Sequence, residues 1–549
     1  MKKYLFFLKK YKWKIITTII LIALLTTLEV VTPYINGLFI DSINFTDLTR
    51  YFLVICILVA VAECAEILFT YLEEVLKNTL TERLVFDFKK HILNHLSNIS
   101  IIQYKKYDIA YTSKKIDEDV RQFWEFYMSY SVFAVFKVFK IIATLFIIFN
   151  ANFIIGASVL ILTPIYYFVY KKFMNPLFSN TTDYKEKSAI YFHEVTNQLF
   201  SIEDKRIQAN DGFYEKKLNG AYQDNFNSFE RYIKTTNLFT GLQSFLRALL
   251  LVISCIVGGY AVLGGYITLG RYSILSSYFR TILTSLSYFA DITKNYQNAK
   301  ASAARIDELL SVPQIEEGSI KVQRVESIDA VVNFGINDKM ILSDVELHFR
   351  TGELIGILGG NGAGKSTLSK ILIGVIKSSD NSYVQRASRN SKYQSCEIIY
   401  NGEYRIEDID TRYLRRQCLS YVNQRVDLEN VTMNYLFGEI AGIGTADELL
   451  LLLHEKGMPL DEDNKRFVCK NWDNTMEELS GGDRQFVTIM VSMLKQSSLF
   501  ILDEPTSNLD KNRINWLKGA LETLKADKII LVITHDVNMM EVFDRVVAL

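Results

Sequence analysis

Leu354-Ile355-Gly356-Ile357-Leu358 runs directly into Gly359-Gly360-Asn361-Gly362-Ala363-Gly364-Lys365-Ser366-Thr367. The first five residues predict a buried strand. The next eight, Gly359 to Ser366, fit GxxxxGK[ST], the spacing of a phosphate-binding loop. Glycines let the backbone turn so that successive N–H groups face phosphate oxygens. The helix expected to open at Gly364 adds its positive dipole end. In that arrangement Lys365 reaches the β- and γ-phosphates of a nucleotide, and the Ser366 hydroxyl ligates Mg²⁺. Strand, loop and helix in this order make a chance match a poor explanation.

Two further stretches extend the same chemistry. Ser498-Leu499-Phe500-Ile501-Leu502 is an apolar strand that ends in Asp503-Glu504. Asp503 at the strand's carboxyl end can hold Mg²⁺, directly or through water. Glu504 then lies beside the γ-phosphate and polarises the attacking water. A solvated strand end is the bland alternative, and five residues suited to burial argue against it. Leu479-Ser480-Gly481-Gly482-Asp483-Arg484-Gln485 opens another helix. A hydroxyl and free N–H groups there form a second phosphate site, with a glycine-rich helix cap as its bland alternative. Two such sites cannot hold one γ-phosphate within a single fold unless a second copy supplies one of them.

The 549 residues allow three to five domain-sized units, and the sequence divides into two unlike parts. Lysine plus arginine number 61 and aspartate plus glutamate 61, so the basic excess of a nucleic-acid binder is missing. With 49% hydrophobic residues, 35 Phe and 31 Tyr, disorder is excluded. Six cysteines without a CxxC support neither a disulfide scaffold nor a zinc site. Apolar runs at about 15–40, 51–72, 128–149, 153–173, 238–263 and 272–292 are near the roughly 20 residues a membrane helix needs. Six lysines between Lys2 and Lys14 precede the first run, which places the amino terminus in the cytoplasm and predicts a helix along the membrane surface. The run is long and has no small-residue cleavage site, so a signal peptide is disfavoured. Short connections at Asp41–Asp47, Asn150-Ala151-Asn152 and Gly264–Gly270 would be outer loops. The long charged connections, about 73–127 and 174–237, should extend the helices into the cytoplasm. The expected organisation is a membrane domain over 1–310, a linker over 311–318 and a soluble α/β domain over 319–549. Within the latter, Lys377 to Ser395 is polar and without periodicity, and is expected to be a mobile surface insertion.

In their order these motifs resemble the ATPase domain of ATP-binding cassette (ABC) transporters, whose signature is LSGG. The resemblance implies an α-helical membrane domain of six long transmembrane helices plus an α/β P-loop ATPase domain of ABC type. It implies ATP and Mg²⁺ as cofactors. Gln424, in Tyr421-Val422-Asn423-Gln424, matches the Q-loop, whose role is Mg²⁺ contact and signalling to the membrane domain. Ser507-Asn508-Leu509-Asp510 matches the D-loop, and His535 matches the switch histidine that contacts the γ-phosphate. The family stacks adenine on an aromatic upstream of the P-loop. A gapless alignment puts Phe334 there and a shifted one Ile336; Phe334 is preferred because the strand at Ile341-Leu342 then keeps its register, with ordinary core as its alternative role.

Upstream, Ala110–Val120 resembles the family's first cytoplasmic loop and Ala301–Leu310 the end of its sixth membrane helix. The regions 101–107 and 209–218 are candidates for the helices that touch ATPase domains. One ATPase domain implies a half-transporter in which two chains pair, as a homodimer or a heterodimer, each ATP lying between one P-loop and the opposite Ser480-Gly481-Gly482. Several features depart from the family. Lys470–Met476 lacks the usual glycine-glutamate pattern, Asp483 replaces the common glutamine, and the sequence given stops at Leu549, one strand beyond His535. That end is expected to mark a short-tailed or truncated chain.

Ionisable residues inside the apolar runs should pair or line a wet cavity. They are Glu29, Glu63, Glu66, Lys137, Lys140, Arg247 and Arg280. A mixed-charge cavity suits a peptide or amphiphile, and the compact length resembles small exporters of modified or antimicrobial peptides. No peptidase domain precedes the first run, so a peptide leader is expected to be removed elsewhere or not to exist. The expected function is ATP-driven peptide export across the cytoplasmic membrane. The alternatives are a lipid or drug exporter, an importer, or a nucleotide-gated sensor or channel.

Overall fold

Helices occupy all six stretches where the apolar runs lie. The computed structural model describes residues 2–43, 49–107, 109–151, 153–209, 211–336, 339–360, 362–377, 395–423 and 431–549. They divide into two units, Met1–Asn98 with Tyr107–Pro313, and Ile99–Lys106 with Gln314–Leu549.

The first unit is built from α1 (Lys12–Ser42), α2 (Thr49–Leu96), α4 (Ile109–Glu125), α5 (Val132–Ala151), α6 (Phe153–Phe200), α7 (Ile202–Gln208), α8 (Asp211–Leu263) and α9 (Leu269–Leu310); the short α3 (Ile101–Tyr104) belongs to the second unit. The helices α2 and α6 have 48 residues each and α8 has 53. At 1.5 Å per residue, 48 residues rise about 70 Å. That exceeds twice the roughly 30 Å hydrocarbon core, so the charged connections continue the same helices as expected. Among the described residues, Tyr4–Ser42, Phe52–Leu96, Lys115–Asn150 and Asp211–Leu263 are long and apolar enough to cross a membrane. Their apolar side chains face outward: Val61, Ile67, Val135 and Phe146 are all exposed. A lipid phase accounts for such a surface, since all backbone groups are satisfied inside the helices. The last helix, α9, turns its apolar residues inward instead. Ile274, Leu275, Tyr278, Phe279 and Ile282 bury against Ile148 of α5.

Polar groups tie these helices together. Lys140 of α5 is buried, with Nζ 2.6 Å from Oε2 of Glu29 on α1. Tyr278 on α9 donates to the Val30 carbonyl at 2.6 Å. Asp41 at the end of α1 accepts from the Gly270 N–H at 2.8 Å and the Thr268 hydroxyl at 2.7 Å, holding the start of α9. Between α4 and α5, Phe126–Ser131 widens into a π-helical turn. Such a turn loosens main-chain carbonyls from their usual partners, and the Tyr288 hydroxyl donates to the Tyr130 carbonyl at 2.6 Å. Asp119 of α4 accepts from Ser302 at 2.9 Å and from Arg305 Nε at 2.8 Å on α9. The two segments that carried the membrane-half resemblance therefore meet. The lysine-rich start, expected on the membrane surface, is a helical segment Lys2–Tyr11 clamped to this unit, with Tyr4 buried beside Phe88 and Phe123.

The second unit contains two sheets. An antiparallel sheet has the order β2-β1-β4-β5, from β1 (Ser327–Ile336), β2 (Lys339–Arg350), β4 (Ser395–Tyr400) and β5 (Tyr404–Arg405). A parallel sheet has the order β6-β7-β8-β3-β9, from β3 (Leu354–Leu358), β6 (Leu419–Val422), β7 (Leu499–Asp503), β8 (Ile529–Ile533) and β9 (Arg545–Ala548). Its helices are α10 (Lys365–Leu372), α11 (Thr411–Gln417), α12 (Met433–Ala441), α13 (Ala446–Glu455), α14 (Glu462–Asn471), α15 (Gly481–Leu494) and α16 (Lys511–Leu524). Every residue of β7 and β8 is buried, as a parallel sheet covered on both faces requires. Ile101 and Ile102 of α3 pack on the core shared by the two sheets. Among the described residues of 209–218 no separate short helix forms. Ala209 adopts a left-handed φ of 50° after α7, and α8 begins at Asp211.

The stretch Lys377 to Ser395 is not uniformly a surface insertion. Lys377 is buried and donates to the Glu316 carbonyl at 2.6 Å, and Ser395 opens β4. Residues 378–394 lie outside the described residues.

Removing one partner of a buried ion pair leaves an uncompensated charge. Lys140→Met alone should lower the thermal unfolding midpoint of the protein in lipid by several degrees. Lys140→Met combined with Glu29→Met should recover most of that loss.

Candidate functional site

The loop after β3 is shaped to cradle phosphate. Gly362 and Gly364 take φ of 84° and 92°, values that an L side chain resists. A Cβ at Gly364 would also meet Ile341 and Leu342 at 2.8 and 2.9 Å. Helix α10 starts immediately afterwards, with Gly364 as its N-cap. Lys365 is buried and its Nζ donates to the Gly359 carbonyl at 2.7 Å and the Gly360 carbonyl at 3.3 Å. Among the described residues the ammonium is held by two loop carbonyls, which fits a site whose natural counter-charge is an anion. Ala363, Ser366 and Thr367 lie in the same loop and first turn. Asn361 lies outside the described residues.

Beside this loop stand the ends of β7 and β8. Burial pushes the Asp503 carboxyl above the usual carboxylate range, against hydrogen bonds from Ser366 and Tyr421 that lower it. A bound cation would reverse that preference, so Ser366 and Asp503 are a donor pair suited to Mg²⁺. The Tyr421 hydroxyl lies 3.4 Å from Asp503 Oδ2 and 3.0 Å from Ser369 Oγ, and burial pushes its phenol up to about 12. Glu504 is held in the left-handed region at φ 52°, its N–H donating to the Ile533 carbonyl at 2.8 Å. A non-glycine residue with such a φ is costly and marks a site where the surroundings impose it. Its buried carboxylate lies 2.8 Å from His535 Nδ1, while the His535 side chain is 71% exposed. Thus the structure gathers Lys365, Ser366, Asp503, Glu504 and His535 at one edge of the parallel sheet.

The other predicted phosphate site stands apart. Ser480 caps α15, its Oγ accepting from the Asp483 N–H at 3.2 Å. Gly481 faces open space, whereas a Cβ at Gly482 would run into the Asn508 carbonyl oxygen. Among the described residues no hydrogen bond or ion pair joins Ser480–Gly482 to residues 359–367. The Asp510 carboxylate caps α16, accepting from the Arg513 N–H at 2.9 Å.

Some sequence-derived assignments need revision or fall outside the description. Phe334 is 1% exposed and packs in the core between the sheets, so it presents no face to an adenine. The reason is strand alternation: Ile328, Ala330, Val332 and Phe334 all point inward. Gln424 lies outside the described residues, as does the Ile336 side chain.

Gln485 was not identified from the sequence. It is fully buried, and its Nε2 donates to the carbonyls of Glu504 at 3.0 Å and Pro505 at 2.9 Å. Its Oε1 accepts from Asn508 Nδ2 at 2.9 Å. This strut ties the signature helix to the turn that carries Glu504. The only sequence hint is a glutamine next to the apolar run Phe486-Val487.

Comparison with known proteins agrees with this geometry. Residues 342–507 match the ABC transporter family, and residues 15–286 match the ABC transporter transmembrane region. A probable ABC transporter ATP-binding/permease protein of Haemophilus influenzae is 28% identical over 284 residues, 50% of this chain and 47% of its own length. An ATP-dependent lipid A-core flippase of Pseudomonas putida is 30% identical over 274 residues, 47% of this chain and 42% of its own. The alignments thus span less than half the length of these curated relatives. The solved structure of a bacterial Atm1-family ABC exporter with ATP bound superposes with a TM-score of 0.80 at 15% identity, over 98% of this chain and 94% of that one. At that identity the likeness is one of fold.

Replacing Gln485 by leucine keeps the volume but strands two buried carbonyls. It should cost about 1–3 kcal/mol of stability, measured by chemical unfolding. ATP hydrolysis should fall as the Glu504 turn loosens.

Proposed function

We propose that this chain, which joins an ABC transporter transmembrane region to an ABC transporter ATPase domain in one polypeptide, is one half of an ATP-driven exporter of amphiphilic, lipid-like cargo. The observation that carries this reading is the separation of two phosphate sites within one domain. Lys365, Ser366, Asp503, Glu504 and His535 form one face of an ATP site, and Ser480–Gly482 forms the face that a second copy would supply. This chain carries all of these residues, so a homodimer would have two competent sites, in a cytoplasmic membrane with the ATPase domains inside.

The chemistry follows from the residues. Loop N–H groups and Lys365 hold the β- and γ-phosphates. Mg²⁺, held by Ser366 and Asp503, would neutralise charge on those phosphates. The Glu504 carboxylate orients and polarises the attacking water, with His535 Nδ1 2.8 Å from it. Closure of two copies around ATP and reopening after hydrolysis would drive the helices of the membrane unit.

The cargo reading shifts from peptide to lipid-like. Several relatives similar to this chain bear the name lipid A-core flippase. The peptide reading rests on chain length and analogy alone. A charged pair, Lys140 with Glu29, set among outward-facing apolar helices also suits a molecule with a polar head and an apolar tail.

The test is ATP hydrolysis by the chain in lipid vesicles. Glu504→Gln should lower the rate by about 100-fold or more. Wild-type activity should rise with amphiphilic lipids and stay flat with a panel of peptides. Stimulation by a peptide alone would reverse the cargo assignment, and an unaffected Glu504→Gln rate would remove the catalytic one.

A further inference from the structure

The single side-chain donor in Ser480-Gly481-Gly482 is the Ser480 hydroxyl, and in this structure its proton is taken. It lies 2.6 Å from Asp483 Oδ2, donating to it, while its oxygen accepts the Asp483 N–H. A hydroxyl has one proton. As long as Asp483 holds it, Ser480 has none to give to a phosphate.

Asp483 is not free to turn away. Its Oδ1 lies 2.7 Å from a terminal nitrogen of Arg513. Arg513 is itself fixed. Its side chain is 12% exposed, and its guanidinium lies over the Phe486 ring at 4.6 Å and the Phe467 ring at 4.9 Å. Its Nε donates to Oδ1 of the buried Asn464 at 3.0 Å. The ion pair neutralises much of the Asp483 charge. What remains is a rigidly placed acceptor, charge-assisted and therefore about twice as strong as a neutral one.

We propose that Asp483 is a positioning residue that competes with nucleotide for the Ser480 proton, and so raises the ATP concentration at which two copies close. The proposal rests on the reading of Ser480–Gly482 as the second face of the ATP site. Glutamine or asparagine at 483 would offer only a neutral amide acceptor, and the serine would exchange it readily for a charged phosphate oxygen.

The experiment measures KM and kcat for ATP hydrolysis by the full chain in lipid vesicles. It compares wild type with Asp483→Asn, Asp483→Gln, Ser480→Ala and the Ser480→Ala/Asp483→Asn double variant, each checked for folding by its thermal unfolding midpoint. Exchanging a charge-assisted for a neutral hydrogen bond should lower KM roughly three- to tenfold in both Asp483 variants, with a smaller change in kcat. Ser480→Ala should raise KM, and adding Asp483→Asn to it should bring no gain. Two variants guard against one failing to fold. An unchanged or raised KM in the folded Asp483 variants overturns the proposal. So does a KM gain that persists without the Ser480 hydroxyl, because Asp483 would then act by another route. Ser480→Ala separates the two ideas: if its KM and kcat equal those of wild type, the reading of Ser480–Gly482 as a nucleotide face fails, whatever Asp483 does.

Discussion

Burial of β7 and β8 on both faces leaves charge only one place to go. Leu499, Ile501 and Leu502 and all five residues of β8 have no exposed surface, and their main-chain groups are used by the ladders to β6, β8 and β3. An unpaired charge within such strands would be prohibitively desolvated. Asp503, Glu504 and His535 therefore emerge at the carboxyl ends, where a sheet of this kind opens a crevice. Because β8 lies between β7 and β3 in the sheet, His535 stands between the Glu504 turn and the glycine loop. The strand order, more than any single contact, brings Glu504, His535 and Lys365 to one edge.

That constraint explains which features were legible in the sequence. The strands 354–358, 499–503 and 529–533 are short apolar runs with abrupt polar ends, and each was readable as a strand feeding a functional loop. Phe334 illustrates the opposite case. The family resemblance points to a stacking aromatic at this position. The alternation of Ile328, Ala330, Val332 and Phe334 carried the contrary signal, and the structure follows the alternation. Gln485 had no legible signal. Its role depends on where the Glu504 turn passes, and that is fixed by tertiary packing, with α15 lying on β6 next to β7.

In the membrane unit, hydropathy located the six apolar runs that lie within helices but did not say how those helices pack. The least apolar of them, α9, buries its few large residues against α1 and α5, and so needs fewer of them. The charges that looked anomalous within the runs divide by surroundings. Lys140 and Glu29 form a pair across α1 and α5, whereas Arg280 is exposed. A sequence shows that a charge lies within an apolar helix, but pairing requires knowing which helix is next to it.

The start of α15 is tied to the turn that carries Glu504. Gly482 carries no side chain because the Asn508 carbonyl occupies the space where a Cβ would lie. Asn508 in turn bonds to Gln485, and Gln485 holds the carbonyls of Glu504 and Pro505. Three residues thus connect the start of α15 to the backbone of the turn that carries Glu504. In the proposed dimer, the start of α15 faces one nucleotide and Glu504 faces the other. A shift of α15 on meeting the first nucleotide would be felt at Glu504 through buried hydrogen bonds, which are costly to break. Communication between the two sites then needs no path longer than this strut, and its stiffness comes from the burial that hides Gln485 from water.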